Sequence, residues 1–351
     1  MGLTPNRGVS IETAKASGPK QDQDTWRASL GVDPAQHIRL VELNHVRYQH
    51  SDIEKIITFL EDFGFDVAKR TDTEIYFRGY GPHHYDYVVV KGDKPKFLGG
   101  TFRVESHADL ERASKLGNGT PIQDLHDAPG GGKLVTIYDP AGWPINLIFG
   151  QDDQTTKDSG VVFPELLMNT ENVKTRLGAC HRFSRGPAAV FRVGHFGICY
   201  KNFPEVLSFY VRTFNFVPSD LVFVGSAEKP VDVAAFLHID RGDDFTDHHT
   251  FFLSRSDNER VHHCSFEVHD HDTQLLGHEW LQRKGYKIVW GVGRHLLGSQ
   301  IFDYWRDPSG FMIEHYADGD LVNKNSPVMR ISAGDDMMLI WGPDRPAEWL
   351  A

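Results

Sequence analysis

One feature narrows the fold of this chain more than any other: between residues 38 and 319 the same phrase is written twice. The first copy opens on Val41-Glu42-Leu43-Asn44-His45-Val46, which alternates like a half-buried strand. It runs on into a stretch where Ile53, Ile56, Ile57 and Leu60 fall at helical spacing behind a Ser51-Asp52 cap. The second opens on Phe191-Arg192-Val193-Gly194-His195-Phe196 and leads into a helix over about 204–214, striped by Val206, Leu207, Phe209, Tyr210 and Phe214. The helices leave through matching phrases, Phe63-Gly64-Phe65 and Phe214-Asn215-Phe216. Both copies close on a turn and strand, Asp139-Pro140-Ala141-Gly142 up to Asn146 against Asp307-Pro308-Ser309-Gly310 up to Glu314. Further β-like runs lie between, at 87–90 and 100–104 in the first copy and at 233–239, 251–254 and 265–268 in the second. A strand–helix–strand–strand–strand unit, repeated, is the economical reading. The expected class is therefore α+β: tandem βαβββ modules in two barrel-like domains, each curved sheet leaving a concave inner face.

The predicted organisation follows from the repeat. Residues 1–37 are polar and read as a flexible arm, 38–150 as the first module, 151–190 as a linker, and 191–319 as the second module. Residues 320–351 close the chain, with 337–341 as one more apolar strand. A net charge of -11 argues against nucleic-acid and anionic-lipid partners, and no apolar run reaches the ~18 residues of a bilayer span. Three cysteines are too few for a disulfide scaffold, so a reducing, cytoplasmic setting is expected, with no export signal at the start. A homo-oligomer is expected from the curved sheets and tails.

Nineteen histidines direct attention to metal or acid/base chemistry. In the second copy His195 lies on the opening strand, His263 begins the strand His263-Cys264-Ser265-Phe266, and Glu314 lies on the closing strand. Two imidazoles and one carboxylate on three strands of one sheet can take one face of an octahedral ion and leave the opposite face open. The first copy keeps His45 but has Gly99 and Asn146 at the matching positions, so the first module is read as a metal-free scaffold. Taken singly, each of these residues is more often a satisfied polar group than a ligand; the three together reverse that weighting. Asp247-His248-His249 is a dense titratable cluster upstream of His263. Cys264 alternates to the opposite face and reads as a packed hydrophobe, whereas His83, His84, His269 and His271 read as surface loop residues.

The string Gly293-Arg294-His295, Phe302-Asp303-Tyr304-Trp305, Asp307-Pro308-Ser309-Gly310 and Glu314-His315-Tyr316 resembles the type I extradiol ring-cleavage dioxygenases of the vicinal oxygen chelate superfamily, over roughly 38–320. The resemblance implies the glyoxalase-like fold and metal ligation by His195, His263 and Glu314. It implies Fe(II), with Mn(II) as the alternative, and a catecholic substrate and O2 as partners. It further implies His249, from His248-His249-Thr250, as acid/base for oxygen activation with His248 as understudy, and His295 and Tyr304 as hydrogen-bond partners of the bound catecholate. The sequence departs from several relatives at Leu296-Leu297-Gly298, where they have polar residues, and at Gly197, where some have Asn. Two alternatives stand beside this reading: another metalloenzyme on the same modules, such as a keto-acid oxygenase or a glyoxalase-like isomerase, or a metal-free small-molecule binder.

Overall fold

The computed structural model describes residues 20–152, 169–178, 183–334 and 338–350. Residues 1–19 of the expected arm, 153–168 and 179–182 of the expected linker (including Cys180), and Met337 lie outside the described residues.

The first half builds eight strands: β1 (Leu40–His50), β2 (Asp66–Arg70), β3 (Glu74–Arg78), β4 (Tyr87–Lys91), β5 (Lys96–Val104), β6 (Gln123–Asp124), β7 (Lys133–Tyr138) and β8 (Pro144–Phe149). The second half adds β9 (Val190–Tyr200), β10 (Phe216–Ser226), β11 (Lys229–Ile239), β12 (Thr246–Asp247), β13 (Phe251–Arg255), β14 (Arg260–Val268), β15 (Lys287–Arg294), β16 (Ile301–Arg306), β17 (Met312–Ala317), β18 (Leu321–Val322) and β19 (Met329–Ser332). The helices are α1 (Gln23–Ser29), α2 (Ile53–Phe63), α3 (His107–Ser114), α4 (Phe203–Thr213), α5 (His271–Arg283) and α6 (Ala347–Leu350).

The large sheets run β2-β3-β4-β1-β5-β8-β7-β6 and β15-β16-β17-β14-β9-β13-β11-β10-β19. Each half holds the βαβββ unit twice, where the sequence pattern predicts it once. In every unit the last strand lies parallel to the first: β4 on β1, β8 on β5, β13 on β9 and β17 on β14. The inner units were masked by their helices. α3 buries only Leu110 and Ala113 as apolar anchors, and α5 buries Thr273, Gln274 and His278 beside Leu281. Neither carries the broad apolar stripe that marks α2, whose Asp52 cap accepts from the Lys55 N–H.

Both halves share one apolar core, with Tyr48, Phe59, Phe102, Phe196, Tyr210 and Trp305 in a single cluster. Polar ties cross it. Asp139 accepts from the hydroxyls of Tyr200 at 2.7 Å and Tyr210 at 2.9 Å, and Asn215 exchanges hydrogen bonds with the Leu40 backbone. Buried hydrogen-bonded groups of this kind fix one arrangement of the two sheets.

Three expectations are corrected. Residues 20–37, read as part of a flexible arm, are docked: Trp26 is buried, Gln23 donates to the Asn323 and Ser326 carbonyls, and Arg27 pairs with Asp240. Residues 338–341 form no strand, only a bridge from Trp341 to Arg294, because the Met338 carbonyl is taken by a side chain. His83 is buried rather than on a surface loop, since its Nδ1 bonds Asp86 at 2.8 Å and its Nε2 lies 3.7 Å from Glu42 on β1.

Candidate metal centre

Register alone assembles the site. Ser265 on β14 pairs with His195 on β9 on one side and with Glu314 on β17 on the other, and Glu314 pairs in turn with Tyr304 on β16. Paired residues of adjacent strands share a face, so His195, Ser265, Glu314 and Tyr304 stand in one row. His263, two residues from Ser265 along β14, joins the same face. The small Ser265 leaves room for its longer neighbours to lean over it.

The side chains meet there. His195 Nε2 lies 3.1 Å from His263 Nε2 and 3.1 Å from Glu314 Oε2, and His263 Nε2 lies 3.5 Å from that oxygen. Donors on adjacent corners of an octahedral ion, each about 2.1 Å from it, stand about 3.0 Å apart, close to this spacing. All three residues are buried and Glu314 is fully so, yet neither of its carboxylate oxygens has a hydrogen-bond partner. An ionised, unpartnered carboxylate in the interior is costly, and a divalent cation between it and two neutral imidazoles removes that cost. The donor set therefore fits a metal ion, and among the described residues it is the one cluster of this kind.

The corresponding row of the first half is His45, Thr101 and Asn146. Gly99 takes the place of His263 with φ +100, and a Cβ there would lie 2.4 Å from the Pro144 carbonyl oxygen. No histidine fits that backbone.

The other expected site residues surround the same point. The His249 ring lies 4.2 Å from that of His195, centroid to centroid, and Tyr304 lies 5.5 Å from His263. His295 Nδ1 is 2.8 Å from the Met338 carbonyl and its Nε2 is 3.0 Å from the Tyr304 hydroxyl. A carbonyl only accepts, so Nδ1 carries the proton and Tyr304 O–H donates to Nε2. Burial holds the Tyr304 phenol well above its ordinary range, with the Glu314 charge adding to the effect, and burial lowers His295.

One partner, Asp220, escaped the sequence reading. His248 Nε2 lies 2.7 Å from Asp220 Oδ2, and its Nδ1 lies 3.2 Å from His249 Nδ1. The carboxylate accepts from His248, whose Nδ1 then accepts from His249, and this leaves His249 Nε2 as the basic atom. Burial, then the neighbouring imidazoles, holds His249 well below the ordinary histidine range, so it rests neutral. Thus His248, expected as an understudy, supports His249. Cys264 points away into the core, as expected from alternation.

These groups line one small cavity together with Phe236, Phe252, Leu297, Gln300, Met338 and Trp349. Among the described residues, no Lys or Arg lines it. Nearby guanidinium groups are committed elsewhere: Arg192 to Asp247 and Glu267, Arg294 to Asp318, and Arg330 to Asp232.

Residues 192–315 match the Glyoxalase/Bleomycin resistance protein/Dioxygenase superfamily. The chain is 31% identical over 309 residues to metapyrocatechase 2 of Cupriavidus necator, covering 87% of this chain and 89% of the relative. In structure it is similar to homoprotocatechuate 2,3-dioxygenase from Arthrobacter globiformis, with TM-score 0.74, 19% identity, and 90% and 91% of the two chains covered. It is also similar to the Mn(II)-bound glyoxalase from Novosphingobium aromaticivorans, with TM-score 0.71, 18% identity, and 89% and 94% covered. No described helix is long and apolar enough to cross a membrane. With a relative of this identity aligned along nearly its whole length, the chain belongs to the extradiol dioxygenases of the glyoxalase/bleomycin resistance protein/dioxygenase superfamily.

Proposed function

We propose that this protein is a non-haem Fe(II) extradiol dioxygenase that inserts both atoms of O2 into a catechol, cleaving the ring outside the diol to a muconic semialdehyde-type product. The observation that carries the reading is the convergence of His195, His263 and Glu314 beside His249, His295 and Tyr304 on one cavity. When bound by the two imidazoles and the carboxylate, a ferrous ion supplies a Lewis-acid centre that joins catechol and O2 and passes electrons between them.

The protein supplies proton handling and orientation. His249 Nε2 accepts a proton from the catechol and returns it to oxygen as the O–O bond breaks, a role worth roughly 10²- to 10⁴-fold in rate. Tyr304 re-aims the O–H that it donates to His295 Nε2 at a catechol oxygen, which favours the ionised form, and the freed His295 Nε2 accepts from the second catechol hydroxyl. The apolar walls exclude water and receive the ring and its substituent. With no Lys or Arg in the described lining, that substituent is absent or uncharged, because a carboxylate there would be buried without a partner. A glyoxalase-like isomerase would also use the metal donors, but it gives no account of the Asp220–His248–His249 chain.

The deciding experiment loads the protein anaerobically with Fe(II) or with Mn(II) and adds 4-methylcatechol and O2. A yellow ring-cleavage product with one O2 consumed per catechol is expected. O2 uptake driven only by a keto acid, or no uptake with metal retained, would overturn the reading.

A further inference from the structure

His262 is a buried imidazole to which the reaction above assigns no part. Consecutive residues of a regular strand point to opposite faces, yet His262 Nδ1 lies 2.7 Å from His263 Nδ1. The cause is a β-bulge. Along β9, Ile198 and Gly197 are adjacent, but on β14 their partners Val261 and His263 are two residues apart, so His262 is the extra residue. The bulge turns both imidazoles to the same side and brings their Nδ1 atoms together.

We infer that His262 is a positioning residue for the metal centre, fixing the tautomer and aim of His263; this rests on the metal-centre reading above. A neutral imidazole that ligates through Nε2 carries its proton on Nδ1, and that N–H needs an acceptor. His262 Nδ1 is the atom in place to accept it. The His262 ring is itself held edge-on against Trp349 of α6, with centroids 4.6 Å apart, so the last helix of the chain braces a metal ligand through one intermediate side chain.

The first half contains its own control. The same bulge recurs there, where Val46 pairs with Gly100 and Tyr48 with Phe97, and its two residues are Leu98 and Gly99. The half that lacks the ligand histidine lacks the supporting one as well. The bulge is therefore kept by the fold, while the His262–His263 pair goes with the metal donors.

The test compares His262→Leu, which copies the first half, with His262→Asn, whose Oδ1 occupies the acceptor position of Nδ1. Zn(II) affinity is measured by chelator competition, alongside unfolding by circular dichroism. His262→Leu is expected to bind Zn(II) roughly 10- to 100-fold more weakly than the native protein, and His262→Asn to stay within about 3-fold of it. If His262→Leu does not fold, native-like affinity in His262→Asn still supports the role, and a folded His262→Asn weakened tenfold or more overturns it. Equal affinities for His262→Leu and the native protein would overturn the role of His262 alone. A native protein that holds no more Zn(II) than Glu314→Ala would overturn the metal-centre reading and this role with it.

Discussion

Asp220 Oδ2 accepts from His248 Nε2 at 2.7 Å, and through that contact a carboxylate on β10 reaches His249. His249→Asn should leave metal content unchanged, since His249 is not among the three donors, and should lower turnover by roughly 10²- to 10⁴-fold. Asp220→Asn, which frees the tautomer of His248 but keeps the shape, should cost roughly 10- to 100-fold. Metal analysis paired with O2 uptake checks both; a His249→Asn enzyme of native rate would remove its acid/base role.

Glu314 yields a prediction that separates binding from stability. Its carboxylate is fully buried and accepts no hydrogen bond, with only the His195 and His263 imidazoles facing Oε2, so in the metal-free protein it opposes folding. Glu314→Gln should abolish metal retention yet raise the metal-free Tm, by about 1–2 °C for each kcal/mol relieved. Calorimetry of metal-stripped native and variant proteins measures this, and a lower Tm in the variant would contradict it.

A described cavity lining without Lys or Arg predicts a substrate preference. Turnover of 4-methylcatechol should exceed that of 3,4-dihydroxyphenylacetate by roughly 100-fold in kcat/KM. Leu297→Arg, which places a guanidinium on the cavity wall, should narrow that ratio by at least about tenfold. Anaerobic titration of each catechol, followed by tryptophan fluorescence, tests binding apart from catalysis.

His83 predicts a pH dependence in the first half. Burial pulls its pKa down, but hydrogen bonds and charge from Asp86 and Glu42 outweigh that and raise it to about 9, above the ordinary 6.5. Its stabilising contribution is then complete below about pH 6.5 and lost as pH rises through about 9, an effect of order 3 kcal/mol. In urea unfolding, His83→Gln should be less stable than native at pH 6, with the gap closing by pH 10. A gap independent of pH would refute the assignment.

Much of this was legible in the sequence because strands translate spacing into facing. The repeated opening and closing phrases placed His195 and Glu314 on the strands flanking β14, and alternation then put His263 with them and Cys264 behind. What stayed hidden depends on packing at a distance. Asp220 sits where eight consecutive β10 residues are buried, so no alternation singles it out. His83 reads as loop until β1 brings Glu42 beside it. The pairing of His262 with His263 depends on a bulge, which adds a residue without marking it, and α3 and α5 carry too few apolar anchors to announce two further units.

Ser265 has a consequence for how this enzyme matures. Because one residue is the shared rung between β9 and β17, a slip of either strand by a single position would turn its donor to the far side of the sheet. On the metal-centre reading proposed above, capturing an ion would be a proofreading event: only molecules whose three central strands are correctly aligned would retain it, and metal occupancy after refolding would count the fraction that assembled in register.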